Sequence, residues 1–316
     1  MQIDTTKQYL PEWSIGPFEK YDKNPVLSPT TGFESWTVYN PAVIVKDGRF
    51  CMVYRAEAVE GKGTPYAGTS QLGLAMSDDG INWERYEGNP IMAATEEYEM
   101  PGGCEDPRLV RHGGIYYLTY TGYYWPHDVR VCLATSTDLI HWEKQGPMFP
   151  EMRNTKSGCI VQNPEGEAVK VNGRYVMYMN HHIAYSDDFI QWEVKEFERG
   201  LSGEVCVAIT DYRASGRDDI LVFYAGSLKG EVANVDWYYA ISESLYSRQN
   251  PEKLLAVLSE PVLKPESAFE KDPARLDENG AKGTLFMDSI IRHDGRWWVH
   301  YGASDKYIGL ATAKAT

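Results

Sequence analysis

Positive charge is scarce in this sequence, and long apolar runs, metal-ligand cysteines and phosphate-cradling glycine loops are missing altogether. Lys and Arg number 31 against 45 Asp and Glu, a formal net charge of −14. A phosphate backbone or an anionic membrane surface would be repelled, so neither nucleic acid nor membrane is expected as a partner. No stretch approaches about eighteen apolar residues, and no basic segment precedes an apolar one near the N-terminus. The chain therefore reads as soluble and cytoplasmic, or as periplasmic or secreted if a leader has been removed. The five cysteines (Cys51, Cys104, Cys132, Cys159, Cys206) are odd in number and lack ligand spacing. Cys51, Cys132 and Cys206 lie inside apolar runs, as buried free thiols do. There is no P-loop, no G-x-S-x-G and no HExxH, and the adjacent His181 and His182 have no carboxylate at a ligand spacing. No metal or cofactor is expected. What remains is carboxylate chemistry.

What is abundant is aromatic: 13% of residues, including 9 Trp and 22 Tyr. Such rings suit both β-sheet packing and the apolar faces of sugars, and their arrangement is repetitive. "NPAVIVKDGRFCMVYRAE" (40–57) aligns with "DPRLVRHGGIYYLTYTGY" (106–123), with residues 165–180, with 205–227 and with 286–304. Each has a strand, a turn and an aromatic-rich strand. Asp47-Gly48, Gly113-Gly114, Asn172-Gly173 and Asp294-Gly295 predict two-residue hairpin turns. A second unit follows each hairpin, three times as Ser-x-Asp with a Trp (Trp83, Trp142, Trp192) at a fixed offset. Two hairpins per unit, five times over, predict an all-β, five-bladed β-propeller with an axial pocket, one domain over residues 1–316. The fifth unit ends early, and a strand from residues 14–30 is expected to complete it. Only "ESLYSRQNPEKLLAVL" (243–258) has room for a short helix.

In a propeller the leading ends of the innermost strands crowd the axis. The alignment places Asn40, Asp106, Glu165, Glu204 and Asp288 there, and four of these are acids. Acids gathered round one cavity shift one another's pKa values and mark functional sites. Arg55, Arg108, Lys156, His181 and His182 fall near the same mouth, with Trp125 and Trp237 on longer connections. Paired acids in an aromatic cavity point to glycoside cleavage.

These segments resemble glycoside hydrolase family 130, five-bladed propellers acting on β-mannosides by phosphorolysis or hydrolysis. The resemblance runs from about Asn40 to Ala313. It rests on "NPAVIVKDGRFCMVYRAE", "GGCEDPRLV", "NPEKLLAVLSEPVLKP" and "VHYGASDKYIGLATA". It implies that Asp106 is the general acid, acting through the 3-hydroxyl of the mannose in the −1 subsite. It also implies that Asn40, Arg55 and Asp305 hold that sugar. Glu105, Arg108, Trp125 and His182 are further candidates for substrate contact.

The chain departs from the family's phosphorylases in three places. Met179-Asn180 stands for their His-Arg, Tyr224-Ala225-Gly226 for their Tyr-His-Gly, and "SGEVC" (202–206) for a Gly-Pro-rich segment. Two cations are lost and Glu204 is gained. The expectation is an inverting hydrolase of β-mannosides, β-1,2-linked ones among them, with Glu204 as general base and Glu231 in reserve. The first alternative is a phosphorylase using inorganic phosphate as co-substrate, recruited by Lys156, His181 or Lys229. The second is a glycan-binding propeller without catalysis.

Overall fold

The computed structural model describes residues 10–58, 69–124, 126–197, 203–213, 219–226, 238–272 and 283–315. Trp125, Lys229, Glu231 and Trp237 lie outside them. The described residues form five antiparallel sheets arranged as a five-bladed β-propeller. Blade one is Thr37–Lys46, Arg49–Glu57, Gln71–Ser77 and Glu84–Arg85. Blade two is Gly103–His112, Ile115–Tyr124, Asp128–Ser136 and Glu143–Pro147. In blade three the innermost strand is broken into Cys159–Ile160 and Lys170–Val171, both pairing with Arg174–Tyr178, followed by His182–Ser186 and Trp192–Glu196. Blade four is Glu204–Ile209, Ile220–Gly226, Ala240–Tyr246 and Leu254–Val257. Blade five begins with Leu285–Phe286 and Ile291–His293, then runs through Arg296–Ala303 and Tyr307–Lys314. Glu19–Lys20 pairs antiparallel with that last strand, so the N-terminal segment completes the blade as expected.

Alternation explains why these strands are buried on both faces. Ala42 and Ile44 pack in a cluster with blade two, while Val43 between them packs with blade five. Blades two and three share a third cluster, blades three and four a fourth, and blades four and five a fifth. Each inner strand therefore serves two interfaces, one per face, and must be apolar on both.

The four expected two-residue turns are present, and both residues of each have positive φ, from 47° at Asp294 to 86° at Gly173. That is the backbone twist a tight hairpin requires. The Ser-x-Asp turns are also alike. Ser77 Oγ accepts from the amides of Asp79 and Gly80, and Asp79 Oδ1 from those of Ile81 and Asn82. The same bonds recur at Ser136-Asp138 and Ser186-Asp188.

Two expectations are corrected. Residues 243–258 hold no helix: they finish the strand Ala240–Tyr246, turn through Asn250-Pro251 and form Leu254–Val257. Cross-strand pairing with Ile220–Gly226 and burial of Tyr246 outweigh helix propensity there. Glu165 is not at the axis. It sits on an exposed turn bonded to Arg292, because blade three starts at Cys159 and the Asn163-Pro164 pair lies at the strand's far end.

Candidate active site

Three inner strands break register where they reach the axis: between Tyr39 and Pro41, between Glu105 and Arg108, and between Val205 and Val207. Asn40 and Asp106 both take φ 48° in these bulges. Asn and Asp tolerate that left-handed conformation better than other residues with a Cβ, and a bulge re-aims the side chain it carries. The following proline has no N–H to strand outside the ladder. The Asn-Pro and Asp-Pro pairs in the sequence thus encode bulges, and the two side chains meet. Asn40 Nδ2 donates to Asp106 Oδ1 at 2.6 Å. Gly302 lies against them, and a Cβ there would come within 2.7 Å of Asn40 Oδ1. This is why "YGASD" carries a glycine.

Arg55, at the end of the second strand of blade one, gathers the acids. Its Nη1 donates to Asp106 Oδ1 at 2.9 Å, its Nη2 to Glu105 Oε1 at 2.7 Å and to Glu57 Oε1 at 3.0 Å, and its Nε to Ser70 Oγ at 2.8 Å. The guanidinium lies over the Tyr39 ring, 4.6 Å from its centre, and the Tyr39 hydroxyl donates to Glu57. No motif in the sequence marks Ser70, Glu57 or Tyr39. Their signal is faint, because each is set by strand register and not by a motif.

The opposite side of the mouth is built from blades three and four. Lys156 Nζ is 2.8 Å from Glu204 Oε1 and 3.8 Å from Asp106 Oδ2. Ser157, with φ 61°, donates to Glu204 Oε2 at 2.6 Å. Glu204 faces Ala225 across the ladder, and Asn180 Oδ1 accepts from the Val205 amide at 3.1 Å. The side chains that stand where phosphorylase cations were expected are therefore a small apolar residue and a strand cap.

The remaining candidates fall elsewhere. Arg108 is buried beneath the mouth, donating to the carbonyls of Asp106, Val205 and Cys206. Asp288 is buried beside it, 3.2 Å from Arg108 Nη2, below the mouth and not at it. Asp305 has φ 48° in the turn after Gly302, whose next residue, Lys306, accepts from the Val38 amide; this puts it on the rim beside Asn40. His182 starts the third strand of blade three, opposite Glu196 on the outer strand.

Charge is unevenly shared. Burial opposes ionisation of Asp106, but Arg55, Lys156 and Arg108, with the Asn40 amide, outweigh it and hold the carboxyl below the usual range. Burial pushes Glu105 up to about 8 in spite of Arg55, because Asp106 and Glu57 stand alongside. One guanidinium is shared among three acids, which favours the protonated form of Glu105. Burial likewise raises Asp288 well above the carboxylate range, against the pull of Arg108. Burial resists protonation of Lys156, but Glu204, Asp106 and Glu105 more than offset that and raise it. The environments of two neighbouring carboxyl groups thus push their pKa values apart, as in acid–base sites. Among the described residues, no cluster of His, Cys, Asp and Glu could hold a metal.

The chain is similar to known proteins over nearly its whole length. A 1,2-beta-oligomannan phosphorylase from Thermoanaerobacter sp. (strain X514) is 32% identical over 305 residues, covering 93% of this chain and 96% of its own. The solved structure of a glycosyl hydrolase from Bacteroides ovatus has a TM-score of 0.83 at 30% identity, covering 97% of this chain and 98% of its own. A second has a TM-score of 0.85 at 29% identity, covering 98% and 99%; it was solved with work on glycoside hydrolases, within the GH130 family of mannoside phosphorylases, that target beta-1,2 mannosidic linkages in Candida mannan. The family model Glyco_hydro_130, described as beta-1,4-mannooligosaccharide phosphorylase, matches residues 18–316. The chain belongs to glycoside hydrolase family 130.

Proposed function

We propose that this enzyme of family 130 acts on β-mannosides, β-1,2-linked ones foremost, and transfers the mannosyl group to water with inversion. Asp106 is the acid and Glu204 the base. The observation that carries this reading is Glu204 at the mouth, joined to Asp106 through one lysine. Those two contacts keep the bridged carboxylate oxygens no more than about 7 Å apart, so both acids can reach one sugar ring. Phosphate within about 4 Å of Glu204 would meet repulsion of roughly 4 kcal/mol per unit charge at an effective dielectric of about 20. Water meets none.

Asp106 is anionic in the empty site, so the acid step needs a proton on it when the sugar arrives. Sugar seated on Asn40 and Arg55 displaces solvent, and desolvation favours the neutral carboxyl. Glu105, on the other arm of Arg55, holds a proton near neutrality. From Asp106 the proton passes through the sugar hydroxyl to the leaving oxygen, while Glu204 takes one from water on the opposite face. Proton NMR of the first-formed sugar tests the stereochemistry. Release of α-mannose from a β-mannobiose is expected, and release of β-mannose would overturn the base assignment.

Phosphorolysis is the second reading, and specific observations favour it. Lys156 is a cation in the mouth, its side chain 26% exposed. Curated relatives at 32% and 28% identity are named as phosphorylases.

A further inference from the structure

The bulges that aim Asp106 and shape the start of blade four turn backbone carbonyls out of their ladders, and one side chain collects them. Arg108 Nη1 donates to the carbonyl of Asp106 at 3.0 Å, Nη2 to that of Val205 at 2.8 Å and Nε to that of Cys206 at 3.1 Å. Nη2 also lies 3.2 Å from Asp288 Oδ1. A single guanidinium therefore spans the inner strands of blades two, four and five. It is 4% exposed, and its bonds run to these buried groups. Val205 directly follows Glu204, so the strut grips the acid's own residue and the base's next neighbour.

We propose that Arg108 is a positioning residue that sets the separation of Asp106 and Glu204 across the axis. The planar fork is the operative property. Its donors diverge in one plane at fixed angles, so three carbonyls from two blades are held in one mutual geometry. A lysine supplies the charge and three donors, but from a point at the end of a flexible stem. Misplacing a reacting group by about 1 Å can cost on the order of 100-fold in rate. The inference rests on the roles given to Asp106 and Glu204 above, but it needs only that both carboxylates work in the reaction, whichever nucleophile is used.

Arg108→Lys and Arg108→Met separate geometry from charge. The groups facing the guanidinium are Asp106, Asp288 and the thiols of Cys159 and Cys206. Wild type is first assayed on β-mannobiose with and without phosphate, and whichever condition supports turnover is then used. Loss of phosphate-free turnover at that point counts against the hydrolase reading alone. In folded Arg108→Lys, kcat should fall about 100-fold with KM within about 3-fold, and the pH profile should keep its alkaline limb. In Arg108→Met the same fall should come with an alkaline limb displaced to higher pH, because a cation that holds Asp106 down has gone. Near-wild-type kcat in a folded Lys variant would overturn the proposal. So would loss confined to thermal stability, or an alkaline limb that does not move in the Met variant.

Discussion

Blades one and two bring their side chains to the axis by a rigid route, and blades three and four by a softer one. Asn40 and Asp106 are fixed by left-handed bulges, a proline each, and a buried guanidinium shared with Glu105 and Glu57. Glu204 is 21% exposed and is held by a serine hydroxyl and a partly exposed lysine. The rigid side suits a sugar that must be bound in one pose. In the proposed function the softer side meets the nucleophile, and it is also where the sequence departs from the pattern expected of the phosphorylases. On that proposal, a change of acceptor needs changes on one side of the ring only.

Breaking the rigid side at its acid should have the largest effect. Asp106→Asn keeps the shape and the bond to Asn40 but cannot donate a proton, so kcat should fall about 10²–10⁴-fold with unchanged far-UV circular dichroism. Near-wild-type turnover on a substrate with a poor leaving group would place the acid elsewhere. Glu204→Gln should cost about 10²–10³-fold, because water retains some nucleophilicity without its base. If external azide or formate restores turnover in that variant, the assignment of Glu204 is sharpened. Gly302→Ala tests rigidity without touching a charge. The added methyl must displace Asn40, so KM should rise about tenfold or more with a smaller change in kcat.

The smallest effect lies away from the mouth. Glu243 accepts bonds from the Ser14 hydroxyl and the Ile15 amide, and burial pushes it up to about 8 from an ordinary 4.5. A folded-state pKa above the unfolded one gives stability that is complete below about pH 4.5 and lost as pH rises through about 8. Glu243→Gln should therefore flatten the fall in Tm between pH 5 and pH 8, though Glu105 will maintain part of it. An unchanged slope would show that Glu243 ionises freely in the folded protein.

The same contrast governs what the sequence could reveal. Asn40, Asp106 and Arg55 are legible because bulge and proline leave a local mark and the strand repeat places Arg55 opposite. Blade three is misread because its polar-proline pair, Asn163-Pro164, sits at the wrong end of a broken strand; the apolar run Cys159–Val161 is the signal that locates it. Arg108 is legible as important but not as buried, since its carbonyl partners come from two blades. Likewise nothing local marks Glu34, Glu99 and Glu270, each buried under a tyrosine hydroxyl (Tyr54, Tyr120 and Tyr301) and an outer-strand cation (Arg85, Lys144 and Lys20). These clamps recur in blades one, two and five, but their partners are far apart in sequence. Trp142 and Trp192 donate to the carbonyls of Leu139 and Phe189, whereas the matching carbonyl of Gly80 is taken by His300. Identical motifs can therefore end in different bonds.

The account turns on which nucleophile the softer side admits. Incubation of the wild-type enzyme with β-1,2-mannobiose, in phosphate-free buffer and then with added inorganic phosphate, decides it by product. Free mannose at the same rate in both, with no mannose 1-phosphate, is the result expected with Glu204 at the mouth and Ala225 beside it in the ladder. Turnover that appears only with phosphate, and yields mannose 1-phosphate, would contradict it.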